Sequence, residues 1–594
     1  MSATHERPTL APSLYAYARD LRNAAPDAPL PDGGYALPEK ARRRGRRREG
    51  LTWREACAAV TGALAPLIAD PDTGRAGAWA PRSLASTGAA ARTVYRAVAT
   101  WPALDEPASR TRARAFGRHL TRYGTDLLAV TAGLGILSRL GEPEDVPYLR
   151  TLGLLDEVGV HAAETLEPLD RASSAFVWLI HRARADALRG FVDALATGDG
   201  TADLLVDLPT GPRELGPEHA RRVAEAVGLP DLLRRHPDHS GLLARALHLL
   251  TRMCHGRNYE SEILAYDEAV ALFEAVATRA YELPPLLDHR ASLVSLALDL
   301  HSGAAHLLPW PPERRQETIH TLLSAVGDSA TPLDREARRR VDWIRRTSRR
   351  LWANTPAVPS ETPRLRIEVT VADPGDPDVV ETRLLVDGRP LVPAFFGHGP
   401  AEPPERLLDD GALRADSEPR EVRLAEAYCT EGCCGALYVT VRREGAHVVW
   451  DGWRRPNTPS RPPLGLPEAP VAYRFDADAY DAEIARAEQD RSWAWPARRT
   501  AALISAGLRE RPDLLGRWGL ARGWISTDFH QPDITVVTFD GLPLGADGTP
   551  DAEQHARQFL WRLPDDGSPP EERAAAVLRR LAEEDPRRYR ELGG

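Results

Sequence analysis

From Leu51 to about Trp352 apolar residues recur at three- and four-residue steps. Gly, Pro and Asp interrupt them at intervals of roughly 12 to 20 residues, which predicts helices almost throughout. The clearest stretch is Thr125–Leu155, TDLLAVTAGLGILSRLGEPEDVPYLRTLGLL. Asp126 or Thr125 can cap a first helix whose buried stripe is Leu127, Val130, Leu134, Leu137 and Leu140. Gly141 fits the left-handed position that ends it, and Pro143 prevents continuation. Asp145-Val146-Pro147 then opens a second, antiparallel helix, with the aspartate as acceptor for free amides and the proline at an early helical position.

This helix-turn-helix, with its G-E-P-E-D-V-P-Y-L joint, resembles a HEAT repeat. Helix pairs follow in Ala175–Ala196, His239–Ala280 and Leu286–Val326 at irregular spacing. The resemblance implies a HEAT-like helical solenoid over 51–353, in which half-dry pairs complete one another's core by stacking. A compact all-helical domain is the competing expectation.

Near Thr355 the texture changes. TPAVPSETPRLR contains a Pro-rich linker, 354–363, and beyond it the period becomes two. Leu365, Ile367, Val369 and Val371 alternate with Arg366, Glu368 and Thr370, predicting a strand with one dry face. Asp387-Gly388 marks a tight hairpin turn and Glu444-Gly445 a second. EVRLAEAY, ALYVTVRR and HVVWDGW complete an antiparallel meander. Phe475–Leu508 reads as helix broken by Pro496, DITVVTF as a late strand, and a final helix starts near Ser568-Pro569 with Ala574, Val577, Leu578 and Leu581 as its stripe. The expected fold class is α+β: an all-α first part, then an antiparallel β-sheet domain with helices over 364–594.

The first 50 residues, rich in Pro and Gly and ending in KARRRGRRREG, read as a flexible basic arm. No aromatic residue interleaves those arginines, so nucleic-acid binding through Arg42–Arg48 is the weaker reading. The chain is 594 residues long, 43% hydrophobic and 27% charged, with a net charge of −9. That is ordinary globular material, too acidic overall for general nucleic-acid or membrane affinity. No run of 18 apolar residues and no secretory leader is present, and five cysteines are no disulfide framework, so the expected compartment is cytoplasmic. Lys40 is the only lysine. Arginine dominance reads as GC-rich coding, and Schiff-base chemistry in a folded domain is excluded.

YCTEGCCG places Cys429, Cys433 and Cys434 at a predicted hairpin end. Three sulfurs with His447 from the next hairpin could hold Zn²⁺ tetrahedrally. Cys429 and Cys433 could instead form a redox pair or supply a nucleophile, or small thiols could simply fill a turn beside Gly432 and Gly435. The C-x3-C-C spacing differs from the C-x2-C of a zinc knuckle. Together with RSWAWP, this stretch resembles an uncharacterised bacterial α+β domain family over roughly Arg364–Asp540. The resemblance implies a shared fold and brings no activity or ligand.

Trp450, Trp453, Trp493, Trp495, Trp518 and Trp524 suit either core packing or a ligand groove, with Arg491 and Arg498 placed to stack on Trp493 and Trp495. Asp478 is the expected cap of the helix that follows it, and Asp481 and Glu483 lie on a solvated face. His248, Cys254 and His255, and likewise His301 and His306, read as helix-face residues. His530 beside Asp528 and Asp533 reads as a loop histidine. Phosphate-loop, dinucleotide, metalloprotease and serine-hydrolase signatures are absent. The expected function is therefore a non-enzymatic interaction or scaffold protein with a protein partner, no nucleic acid, no membrane and no cofactor. The alternative is a zinc-binding or thiol-redox protein using the cysteine loop.

Overall fold

A computed structural model describes residues 12–26, 28–41, 52–184, 186–197, 201–209, 215–254, 262–327, 334–353, 364–375, 380–397, 399–427, 435–456, 472–528, 530–542 and 555–588. The chain forms two compact units, 1–252 and 253–594. The basic run Arg42–Arg48 lies outside the described residues.

The first unit is helical. Helices Trp53–Ala69 and Thr73–Thr87 pack together, as do Pro107–Tyr123 with Leu127–Leu140, and Gly159–Leu166 with Arg171–Arg182. Thr52 and Glu55 form a reciprocal capping box at the start of the 53–69 helix. Part of the expected arm is ordered as well: Leu14–Ala24 is a helix whose Leu14 and Ala18 are buried, packed on the 107–123 helix and on Val146–Leu152. Two apolar positions four apart are enough to dock one face of a short helix.

Asp126 caps the 127–140 helix, its carboxylate accepting from the amides of Leu128 and Ala129. Asp126→Ala should lower the stability of the first unit by about 1 kcal/mol in urea denaturation. Three expectations for this joint need correction. Gly141 is extended, at φ −63°, rather than left-handed. A glycine is required there because a Cβ would press on the Leu137 carbonyl and on Leu169. Asp145 caps no amide of the 146–152 helix: it is buried, bonded to Arg118 at 2.9 Å and Arg122 at 3.0 Å, and accepts from the Glu142 amide. Nor is the 127–140 helix half-dry. It is buried on all sides, between helices Thr73–Thr87, Ala91–Ala99, Pro107–Tyr123 and Gly159–Leu166.

Among its described residues the second unit combines helices with three antiparallel sheets. One sheet holds β1 (Leu365–Val371), β2 (Val380–Val386) and β3 (Arg389–Pro390) in the order β1-β2-β3. The second holds β4 (Arg420–Glu426), β5 (Ala436–Glu444), β6 (His447–Arg454) and β7 (Tyr473–Asp476), in sequence order. The third holds β8 (Ala521–Thr527), β9 (Ile534–Gly541) and β10 (Arg557–Pro564), with β9 in the middle. The β2–β3 turn has Asp387 and Gly388 both at positive φ, as Asp-Gly predicts. Of the third sheet, sequence periodicity had indicated β9 alone.

The first two sheets share one hydrophobic core, centred on Trp450, Phe475 and Tyr480. β8 to β10 and helices Pro496–Glu510 and Pro570–Glu583 build another. The helices Leu287–Ser302, Pro312–Ser324 and Arg335–Ala353 belong to this unit too, so the sheet-bearing unit starts at Met253 rather than at the change of texture near Thr355. Asp476, not Asp478, caps helix Ala477–Gln489 by accepting from Ala479. Among the described residues no helix is long and apolar enough to cross a membrane.

Candidate functional site

Trp453 and Trp518 are partly buried and pack against the two cores of the second unit. Trp450, Trp493 and Trp495 are core residues, and Trp524 is exposed. Arg498 lies over both Trp493 and Trp495, whereas Arg491 turns away to Asp409. Cys429, Cys433 and Cys434 lie outside the described residues. The residues that bracket their loop, Ala427 and Gly435, are joined by a backbone hydrogen bond at the start of β5. His447 pairs with Glu444 at the other end of that strand, about 26 Å away for nine residues at strand rise. Its Nδ1 lies 3.2 Å from Arg474. The structure therefore does not bring His447 next to the bracketing residues. Among the described residues no group of three or more His, Cys, Asp or Glu could hold a metal ion.

A different place combines polar chemistry with space. The expected alternation in β1 is present, but its second face is not wet: Glu368 and Thr370 are buried along with Ile367 and Val369. Across the ladder Glu368 faces Arg383 and Thr370 faces Glu381. This polar sheet face meets helix Leu287–Ser302, whose Ser292, Ser295, Asp299 and Ser302 recur at helical spacing and are all buried. Polar residues thus meet polar residues inside the unit.

Arg383 organises the layer. Its Nε donates to Glu381 at 2.6 Å, and its Nη1 to the Leu298 carbonyl at 3.2 Å and Ser302 Oγ at 3.0 Å. Burial disfavours its charge, but Glu381 and Asp299 outweigh that and hold its pKa above the ordinary value. Asp299 accepts from the Ala305 amide at 2.9 Å, and a Cβ at Gly303 would collide with its carboxylate. At the edge His301 Nε2 sits 3.2 Å from both oxygens of Glu368. His306 Nδ1 meets the His301 carbonyl at 2.8 Å, and burial with Arg315 pushes its pKa down to about 4. These two histidines are thus tied into structure rather than lying free on a helix face.

Burial opposes ionisation of Glu368, but the His301 hydrogen bond and the charges of His301, Arg350 and Arg366 prevail, placing its pKa at about 2 rather than 4.5. A carboxylate with a depressed folded-state pKa contributes fully above pH 4.5 and loses that contribution as the pH falls toward 2. Glu368→Gln should lower stability near neutrality by on the order of 2 kcal/mol and flatten the acid limb in that window, as read by pH-dependent urea denaturation.

Between helix and sheet lies a cavity of about 120 Å³. Its polar lining comprises Cys254, Ser295, Asp299, Ser302, Thr370, Glu381 and Arg383, and Pro390, Pro393, Phe396 and Pro400 are among its apolar walls. Ser295 is 6% exposed and Thr370 2%, and neither hydroxyl has a hydrogen-bond partner. Leaving a buried hydroxyl unpaired costs about 1–3 kcal/mol each, a penalty that a hydrogen-bonding guest in the cavity would remove. Burial and Asp299 push the Cys254 thiol well above its ordinary pKa, which keeps it protonated and unreactive near neutrality. Of the lining, sequence reasoning had singled out Cys254 alone, and as a helix-face residue. The helical repeat of Ser292, Ser295, Asp299 and Ser302 amid leucines marks a polar stripe on the helix side of the lining, but not what that stripe faces.

No family model, curated protein or solved structure matches this chain.

Proposed function

We propose that the chain is a non-enzymatic recognition protein whose second unit binds a small polar molecule in the 287–302 helix cavity. The observation that carries this reading is the pair of buried, partnerless hydroxyls of Ser295 and Thr370 facing that space. A guest that bonds to both removes their burial penalty, and apolar walls around a few polar groups are the usual composition of a ligand site. A protonated Cys254 offers no thiolate for chemistry, which favours binding over turnover. Saturation-transfer NMR of the full chain, with a mixture of small polyols, amines and carboxylates, tests it. Signals are expected with the native protein and none with Ser295→Leu, which fills the space. Equal signals from both proteins, or none from the native one, would reject the reading.

The first unit we propose as a HEAT-like stack that holds a protein partner. Successive packed helix pairs support it, as do Trp79 and Tyr123, 53% and 68% exposed on the contacting 73–87 and 107–123 helices. In a stack each pair leans only on its neighbours, so amide exchange should slow progressively from the ends toward the 127–140 helix. Uniform protection across the unit would speak for a single closed globule instead. A zinc or thiol-redox role for the loop carrying Cys429, Cys433 and Cys434 is a separate proposal, decided by metal content and thiol titration.

A further inference from the structure

We infer that the outer face of helix Arg335–Ala353 binds single-stranded nucleic acid. The helix carries eight arginines, and its inner side buries Val341, Trp343, Ile344 and Leu351 within the second unit. Four of the arginines pair with carboxylates of that unit: Arg335 and Arg339 with Asp533, Arg340 with Asp373, and Arg350 with Glu368. The other four, Arg338, Arg345, Arg346 and Arg349, are exposed. At about 100° per residue these four and Trp352 share roughly a third of the helix circumference, over a length of about 21 Å. Asp342 is the only carboxylate in that stripe, 3.9 Å from Arg345. Arg338, Arg346 and Arg349 have no carboxylate partner among the described residues. Guanidinium groups that neither pack nor pair leave a local positive potential, which a strand of phosphates neutralises while releasing its counterions.

Trp352 selects among polyanions. It closes the stripe, 48% exposed, with its indole stacked on His320 at 4.8 Å and 17°. Gln316 Nε2 lies 2.8 Å from His320 Nε2 and holds the imidazole, so the indole is a fixed platform. An aromatic platform beside a row of arginines is what a single strand uses, its bases stacking while its phosphates meet the cations. A duplex keeps its bases inside, and an acidic peptide has no bases to stack. A membrane surface would need the apolar face of the helix. That face is buried. On a chain of net charge −9 the stripe is a local exception.

The probe is a fluorescein-labelled oligothymidylate of about twelve nucleotides, within the usual site size, read by anisotropy with the full-length protein. Binding is expected, and it should weaken as salt rises. Arg346→Gln with Arg349→Gln should make the slope of log affinity against log salt shallower by about 1.4, at about 0.7 per lost phosphate contact. Trp352→Leu should weaken binding at least fivefold and leave that slope unchanged, because stacking releases no counterions. Melting temperatures are compared first, and Arg338→Gln replaces the double variant if that one unfolds. Equal binding of the matching duplex, or equal displacement by polyglutamate at the same charge concentration, would overturn the single-strand assignment. So would capture on phosphatidylserine vesicles with no binding of the oligonucleotide. Absence of binding at low salt overturns the inference outright. Binding untouched by every variant, or lost only when the Arg42–Arg48 run is deleted, would place it away from this helix and overturn it too.

Discussion

Replacing Glu225 with alanine should destabilise the first unit by about 3–5 kcal/mol, the usual consequence of removing one partner from a buried ion network. The Glu225 side chain is almost fully buried on helix Pro217–Val227. Its carboxylate lies 2.9 Å from Arg221, 3.3 Å from Arg222 and 3.4 Å from Arg171. Glu167 supplies the other negative charge, 2.6 Å from Arg222. Burial pushes the Glu225 carboxyl up while Arg221 and Arg222 pull it back, whereas at the less enclosed Glu167 the arginines prevail over burial and hold the carboxyl down. Without Glu225, Arg221 and Arg222 lose a buried carboxylate while having little access to water themselves. Glu225→Gln keeps the volume and an acceptor, so its loss should be smaller. Urea denaturation, with hydrogen exchange to locate the change, reads both variants. A loss below about 1 kcal/mol for the alanine variant would show that the network is effectively solvated.

Trp450→Ala should cost the second unit about 3–5 kcal/mol, the range for deleting a large buried aromatic side chain. Trp450 is fully buried on β6, edge-on to Phe475 at 5.5 Å and to Tyr480 at 6.2 Å. Its indole N–H donates to the Tyr480 hydroxyl at 3.3 Å, and that hydroxyl donates to the Leu413 carbonyl at 2.6 Å. Truncation empties the centre of the core shared by the first two sheets and loosens a hydrogen-bonded chain. Trp450→Phe should lose less, since most of the apolar volume stays. Near-UV circular dichroism and thermal unfolding measure the effect, and exchange protection of the 127–140 helix should be untouched. Loss of protection there would contradict the division into two compact units.

The period of apolar residues carried the element assignments well. The helices, the switch to strands after Thr355, the Asp387-Gly388 turn and the last helix all follow from local spacing and turn chemistry, which act within a few residues. Errors gathered where a residue's role is set by something far along the chain. Asp145 has the sequence of a helix cap, yet Arg118 and Arg122, from the Pro107–Tyr123 helix, claim its carboxylate. Glu483 has the spacing of a solvated face, yet it accepts from the Ile367 amide of β1. The stripe expected for the 127–140 helix is buried, but so are its other faces, which periodicity does not reveal because it detects only contrast between faces. A helix buried all round by four neighbours leaves little.

The cavity was missed for the same reason in stronger form. Glu368 and Thr370 alternate with apolar residues as the outer face of a half-wet strand does, and Ser295 and Asp299 fall on a polar helix stripe. Each pattern alone means solvent. What the sequence determined by itself was the α+β class, most element positions and the two-faced character of both segments, because these depend on short-range periodicity. Only the tertiary structure decided that the polar faces meet each other rather than water. That outcome depends on long-range packing between a helix ending at Ser302 and a strand beginning at Leu365, which no local pattern encodes.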